Sequence, residues 1–193
     1  MLVLIMKKII CFLITLLFLS GCHELKEEAK SNLTIIGDSR MVGLCGYNFY
    51  KETNGTCIAK VGIGYNWLVT EAISEVNSLD FDKKEYIAVN LGVNDLYNIN
   101  NYVTKYEELI NTFWKDSKVI LVSINPTKDV YNHLNKEIDE FNSKIKELNK
   151  YKNVIYCDTA SILKNEGFLS NDGLHYEKET SKKIFNKILE CME

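Results

Sequence analysis

Of the three histidines in the 193 residues, one stands where an imidazole could act as a base. His23 lies in a polar stretch near the amino end. His133 sits beside the apolar stripe of a charged segment, where a solvated surface role is the default. His175 closes the run Asp172-Gly173-Leu174-His175, a glycine-containing turn with a carboxylate three residues upstream. Such a turn lets the carboxylate fold back onto an imidazole nitrogen, which fixes the tautomer and stabilises the imidazolium formed during proton transfer. A base of this kind serves a nucleophile, because a serine hydroxyl is unreactive until its proton is removed. Ser39, in Gly37-Asp38-Ser39-Arg40, follows a short apolar run, so its oxygen can point into a crevice. The same block also reads as a plain helix start, with Asp38 or Ser39 capping the segment that follows.

Attack on a carbonyl further requires donors aimed at the oxygen where negative charge develops. The amide of Asn94, in Gly92-Val93-Asn94-Asp95, could be one. The backbone N–H of Gly62 could be a second, since a missing Cβ permits close approach of a substrate. The N–H of Ser39 itself could be a third. Each position has a purely structural alternative: an Asx turn for the asparagine, a tight turn for the glycine. The sequence contains no C-x-x-C pair and no His/Cys cluster, so no zinc site is expected, and the chemistry sketched needs no metal or organic cofactor.

Something must bring these distant residues together. Short, almost unbroken apolar runs occur at residues 33–36, 57–59, 86–89, 119–122 and 154–157. Runs of this kind suit strands buried on both faces of a parallel sheet. Between them lie helical stripes: Leu68, Ala72 and Val76; Tyr106, Leu109, Ile110 and Phe113; Leu134, Ile138, Phe141, Ile145 and Leu148; and finally Ile184, Phe185, Ile188 and Leu189. Alternation of strand and helix implies right-handed crossovers and a three-layer α/β/α sandwich. Ligands in such folds bind at the carboxyl ends of the strands. The Ser39, Gly62 and Asn94 blocks each follow a strand, and the His175 block precedes the last helix.

Taken in order, the four blocks resemble the SGNH hydrolases, also called the GDSL esterase family. That family's pattern is Gly-Asp-Ser, then Gly, then Gly-x-Asn-Asp, then Asp-x-x-His. Here it reads Gly37-Asp38-Ser39, Gly62 or Gly64, Gly92-Val93-Asn94-Asp95 and Asp172-Gly173-Leu174-His175. The resemblance implies a flavodoxin-like fold with a five-stranded parallel sheet. It implies Ser39 as nucleophile, His175 as base and Asp172 as its orienting partner. Ser39 N–H, Gly62 N–H (preferred over Gly64) and the Asn94 amide would form the oxyanion hole, with Asp38 and Asp95 stabilising turns. The implied activity is a serine esterase working through an acyl-enzyme, removing small acyl groups such as acetyl from carbohydrate. An acyltransferase to glycan would use the same site, and a catalytically inactive surface binding protein would keep only the fold. One departure is Arg40, where the family has a hydrophobic residue. Its guanidinium is a candidate contact for an anionic substrate, or else pairs with a neighbouring acid. Gly64, Tyr65 and Trp67 are further candidate substrate contacts, although aromatics here also serve helix-to-sheet packing.

With 25% charged and 46% hydrophobic residues and a single proline, the chain suits one globular domain. It is not disordered, collagen-like or polytopic. A net charge of −3 argues against a nucleic-acid binder with a broad basic face. Lys7 and Lys8 precede an apolar run over residues 9–19, and Leu19-Ser20-Gly21-Cys22 resembles a bacterial lipobox. The expected organisation is a lipoprotein signal peptide at 1–21, a polar tether at 22–31 and the hydrolase domain at 32–193. Cys22 would carry lipid, anchoring the domain to the cell membrane on its extracytoplasmic side. A plain signal peptide or an uncleaved anchor are the alternatives, and Met6 is an alternative start. An oxidising location permits disulfides among Cys45, Cys57, Cys157 and Cys191, with Cys45–Cys57 the first choice.

Overall fold

The computed structural model describes residues 32–193. The expected signal peptide, Cys22 and the tether lie outside the described residues. Five strands, β1 (Leu33–Gly37), β2 (Thr56–Ala59), β3 (Tyr86–Asn90), β4 (Lys118–Val122) and β5 (Val154–Cys157), form one sheet in the order β2-β1-β3-β4-β5. Every pairing is parallel. The chain steps outward from β1 to β2, then reverses through β3, β4 and β5. The reversal leaves a crevice outside the carboxyl ends of β1 and β3, where Gly37 and Asn90 are partners in register.

Alternate residues of each strand face opposite layers. Ile36, Ile87, Val89, Val119 and Leu121 belong to one core cluster. Leu33, Ile35, Ala88, Ile120 and Val122 belong to the other. On the first face lie a continuous helical run and two longer helices. The run comprises α2 (Tyr65–Trp67), a π turn (Leu68–Ala72) and α3 (Ile73–Ser78), and the helices are α4 (Ile99–Asn111) and α5 (Asn135–Lys146). On the second face lie α1 (Ser39–Gly46), α6 (Thr159–Glu166) and α7 (Lys178–Glu190). The result is the three-layer α/β/α sandwich expected from the strand and helix alternation.

Three local features depart from the pattern read in the sequence. The stripe ending in Phe113 is cut short, because α4 stops at Asn111 and Phe113 is 61% exposed. Trp114 takes the buried position instead, its backbone N–H donating to Leu109 O at 2.8 Å. Leu134 ends a short 3-10 turn ahead of α5 rather than opening the helix. Helix α6 was not expected; it is eight residues long and starts on Asp158, whose carboxylate accepts from Ser161 N. Two disulfides are present. Cys45–Cys57 ties α1 to β2, and Cys157–Cys191 ties β5 to the residue after α7.

Candidate active site

Ser39 is the first residue of α1 and follows β1 after a single residue, Asp38. That residue is the helix cap: its Oδ1 accepts from Arg40 N at 2.9 Å, and its carbonyl accepts from Val42 N. The capping role therefore falls on Asp38 and leaves the partly buried Ser39 side chain free for other bonding. As a first-turn residue, Ser39 has an N–H with no acceptor inside its own helix. Gly37 is what allows so abrupt a strand-to-helix turn. A Cβ there would lie 2.1 Å from the Met41 side chain and 2.9 Å from Asn90 O.

Ser39 Oγ and His175 Nε2 are 3.0 Å apart although 136 residues separate them in sequence. On the other side of the ring, Nδ1 is 2.7 Å from Asp172 Oδ2. An ionised carboxylate only accepts, so Nδ1 carries the proton and Nε2 is left to accept from the serine hydroxyl. Asp172 Oδ1 accepts from Leu174 N at 2.9 Å and His175 N at 2.7 Å. These bonds hold its carboxyl down at about 2; the His175 N–H has the largest effect, opposed by partial burial and helped by the imidazole and the Leu174 N–H. Asp38 shows the opposite trend. Burial pushes its pKa up, against the pull of the Arg40 guanidinium.

The loops after β2 and β3 are joined by Asn94 and Asp95. Asn94 Nδ2 donates to Ile63 O at 2.8 Å, which uses one of its two amide protons and leaves the other free to point elsewhere. Asp95 accepts from Tyr65 N at 2.8 Å, from Asn98 Nδ2 at 3.0 Å and from the Tyr102 hydroxyl at 2.8 Å. The two glycines of the second loop differ in kind. Gly62 has a positive φ of 71° and a Cβ there would meet nothing within 4 Å, so it borders open space. Gly64 lies against Asp95, whose carboxylate oxygen would be 2.4 Å from an added Cβ. Packing accounts for Gly64 and leaves Gly62 as the glycine with an accessible backbone.

Of the other expected substrate contacts, two are buried and one is partly buried against a helix. Arg40 is 3% exposed, and its Nε and Nη1 donate to Leu174 O at 3.2 Å and Asn125 O at 2.9 Å, so it is neither at an open surface nor in an acid pair. Trp67 is buried in the core beneath the sheet, because its position on the helical run faces inward. Tyr65 is partly buried, with its ring edge-on to Tyr102 at 5.3 Å. Trp67 thus serves the core, and Tyr65 packs the helical run against α4.

The residues that hold the His175 loop were not found from sequence. Gly173 (φ 88°) lies so close to the loop after β4 that a Cβ would stand 2.4 Å from Lys128 O, and Gly173 O accepts from Lys128 N at 2.9 Å. The Tyr176 hydroxyl donates to Pro126 O at 2.6 Å. From α5, the Asn142 side chain accepts from the N–H and donates to the carbonyl of Ile124 in the loop after β4, at 2.7 and 2.8 Å. The glycine in Asp-Gly was a visible hint of a close approach; the long-range partners were not.

A hydroxyl bonded to an imidazole whose far nitrogen is held by a carboxylate can lose its proton as it attacks a carbonyl. Known proteins with this architecture bear the comparison out at the level of fold. The catalytic domain of peptidoglycan O-acetyltransferase A from Streptococcus pneumoniae superposes with a TM-score of 0.65 at 16% identity, over 85% of this chain and 93% of that one. A lipolytic G-D-S-L family protein from Veillonella parvula gives 0.66 at 15% identity, over 82% and 96%. An acetyl xylan esterase gives 0.57 at 18% identity, over 83% and 100%. No curated protein sequence matches the chain. Residues 25–188 do match the family described as GDSL-like Lipase/Acylhydrolase, nearly the whole chain beyond its apolar amino end. The protein therefore belongs to the GDSL, or SGNH, hydrolase family of enzymes.

Proposed function

We propose that the protein is a serine esterase for small acyl groups, most simply acetyl, carried on carbohydrate. The observation that carries this reading is the continuous bonded run from Ser39 Oγ through His175 to Asp172, at 3.0 and 2.7 Å. Ser39 Oγ bonds to the ester carbonyl carbon while its proton passes to His175 Nε2. The carbonyl oxygen takes up the negative charge, facing the N–H groups of Ser39 and Gly62 and the second amide proton of Asn94. Collapse breaks the ester C–O bond, and the alcohol leaves with the proton from Nε2. A water, deprotonated by Nε2, then attacks the acyl-Ser39 ester, and the acid departs with Ser39 regaining its proton. Asp172 stays ionised throughout and holds the ring.

The preference for a small acyl group rests on how open the site is. The His175 and Asp172 side chains are 41% and 47% exposed. A long acyl chain needs a deep apolar pocket, and the single-residue β1–α1 connection builds no wall for one beside Ser39. The names of two similar folds, an acetyl xylan esterase and a peptidoglycan O-acetyltransferase, support acetyl and glycan chemistry. The second of these also supports an acyltransferase reading, in which a sugar hydroxyl replaces water as acceptor. We further propose that Cys22 is lipidated and that the domain works outside the cytoplasm; two disulfides favour an oxidising compartment.

The test is a hydrolysis screen of aryl esters of graded acyl length and of acetylated glycans, with and without a glycan acceptor. Rates falling steadily beyond acetyl support the proposal; faster turnover of long-chain esters overturns it. Acyl transfer to the added glycan in preference to water selects the transferase.

A further inference from the structure

We infer that Arg40 is a positioning residue for the base, acting on His175 through the backbone rather than on substrate; this rests on the proposed roles of Ser39 and His175. The peptide unit joining Leu174 to His175 is held at both of its polar ends. Its N–H donates to Asp172 Oδ1 at 2.7 Å, and its carbonyl accepts from Arg40 Nε at 3.2 Å. A peptide plane fixed at both ends fixes the Cα–Cβ direction of His175, and with it the reach of Nε2. The guanidinium also lies over the ring of the next residue, Tyr176, at 5.3 Å from the centroid. Its Nη1 donates to Asn125 O at 2.9 Å, which secures the loop onto which the His175 segment docks through Tyr176–Pro126 and Lys128–Gly173.

Arg40 is covalently next to the nucleophile. Among the described residues, the hydrogen bonds joining α1 to the 172–176 segment are Ser39–His175 and Arg40–Leu174. The first is the reacting contact itself, which must loosen and reform in each turnover. The second persists, so it sets the separation of hydroxyl and imidazole while protons move. A hydrophobic side chain at this position supplies packing but no donor. Arginine supplies a planar fork whose N–H groups point in different fixed directions, which a lysine ammonium does not reproduce.

The experiment measures kcat and KM on an aryl acetate for Arg40→Met and Arg40→Lys, beside Ser39→Ala, with a thermal melt of each variant. A misplacement of a reacting group by about 1 Å can lower the rate by about 100-fold. Arg40→Met is expected to lower kcat by about 10- to 100-fold with KM within about twofold, in a protein that melts cooperatively. Arg40→Lys, keeping charge and one donor direction, recovers part of the loss. The proposal is overturned by an unchanged kcat in folded Arg40→Met, by a rise in KM alone (a substrate contact), or by failure of both variants to fold (a scaffold role only). Undiminished turnover by Ser39→Ala overturns the site reading and this proposal together. An inactive Ser39→Ala beside a fully active Arg40→Met overturns the positioning role alone.

Discussion

Asp172 owes its low pKa first to a backbone N–H, that of His175, and only then to the imidazole it orients. Its folded value, about 2, lies below the ordinary 3.8, so its ionisation stabilises the folded chain. That contribution is present in full above the unfolded value and is lost as the pH falls through the folded one. Asp172→Asn lacks this titration. The melting-temperature gap between the two proteins therefore shrinks as the pH falls from about 5 towards 2. A gap that stays constant down to pH 2 would contradict the bonding described. Asn94 tests a different atom. Asn94→Ala removes the proposed oxyanion donor from an exposed side chain and is expected to lower kcat by about 100- to 1000-fold, with a stability change below about 1 kcal/mol. Steady-state kinetics and a melt decide it; a kcat within threefold of wild type would remove Asn94 from the mechanism. At this scale the sequence was informative where partners are local. Asp172 and His175 are three residues apart, and Asp38 caps its own helix. The surroundings of Arg40 were not legible, because its acceptors are backbone carbonyls 134 and 85 residues away, which no local pattern reveals.

At the scale of elements, β1, β3 and β4 were legible because each is a short, almost unbroken apolar run buried on both faces, whereas the edge strands β2 and β5 are only partly buried. Helix ends were less so. The stripe through Tyr106, Leu109 and Ile110 continues to Phe113 on paper, but the chain turns at Thr112 so that Trp114 can be buried. Helix α6 presents few apolar residues to its face, and its position is set by the cap at Asp158. The loops carry the more testable contrast. Gly173→Ala forces a Cβ to 2.4 Å from the Lys128 carbonyl at a φ of 88°. It should cost about 1–3 kcal/mol and lower kcat as well, since the displaced segment carries Asp172 and His175. Gly62→Ala meets no atom within 4 Å, so its stability cost is confined to the positive φ, about 1 kcal/mol. Melting and kinetics of the pair are expected to separate: a larger Tm loss for Gly173→Ala. Equal Tm losses would argue against the close approach of the two loops.

At the scale of the whole molecule, the sheet order decides which loops meet. The Ser39 and Asn94 blocks converge because β1 and β3 are neighbours and the chain reverses between them, and the His175 block, 136 residues from Ser39, joins them by docking on the loop after β4. The alternation of strand and helix was legible in the sequence; the strand order was not, because no local pattern says which strand lies beside which. The disulfides were half legible. Cys45–Cys57 closes a separation of 12 residues, the one pairing that proximity favours. Cys157–Cys191 closes 34 and depends on α7 packing back beside β5. In a chain-entropy account the longer loop contributes more, about 4 against about 3 kcal/mol. Cys157→Ser/Cys191→Ser is therefore predicted to lower Tm more than Cys45→Ser/Cys57→Ser under oxidising conditions. The reverse order in a calorimetric scan would show that native packing rather than loop closure governs the difference.

The central claim is that the hydroxyl of residue 39 is activated by the imidazole of residue 175. The most direct measurement is covalent trapping with a fluorophosphonate, read by intact mass and peptide mapping. The account predicts one adduct per chain, on Ser39, absent in Ser39→Ala and formed far more slowly in His175→Ala. No adduct on the wild-type protein, or an adduct on a different residue, would contradict it.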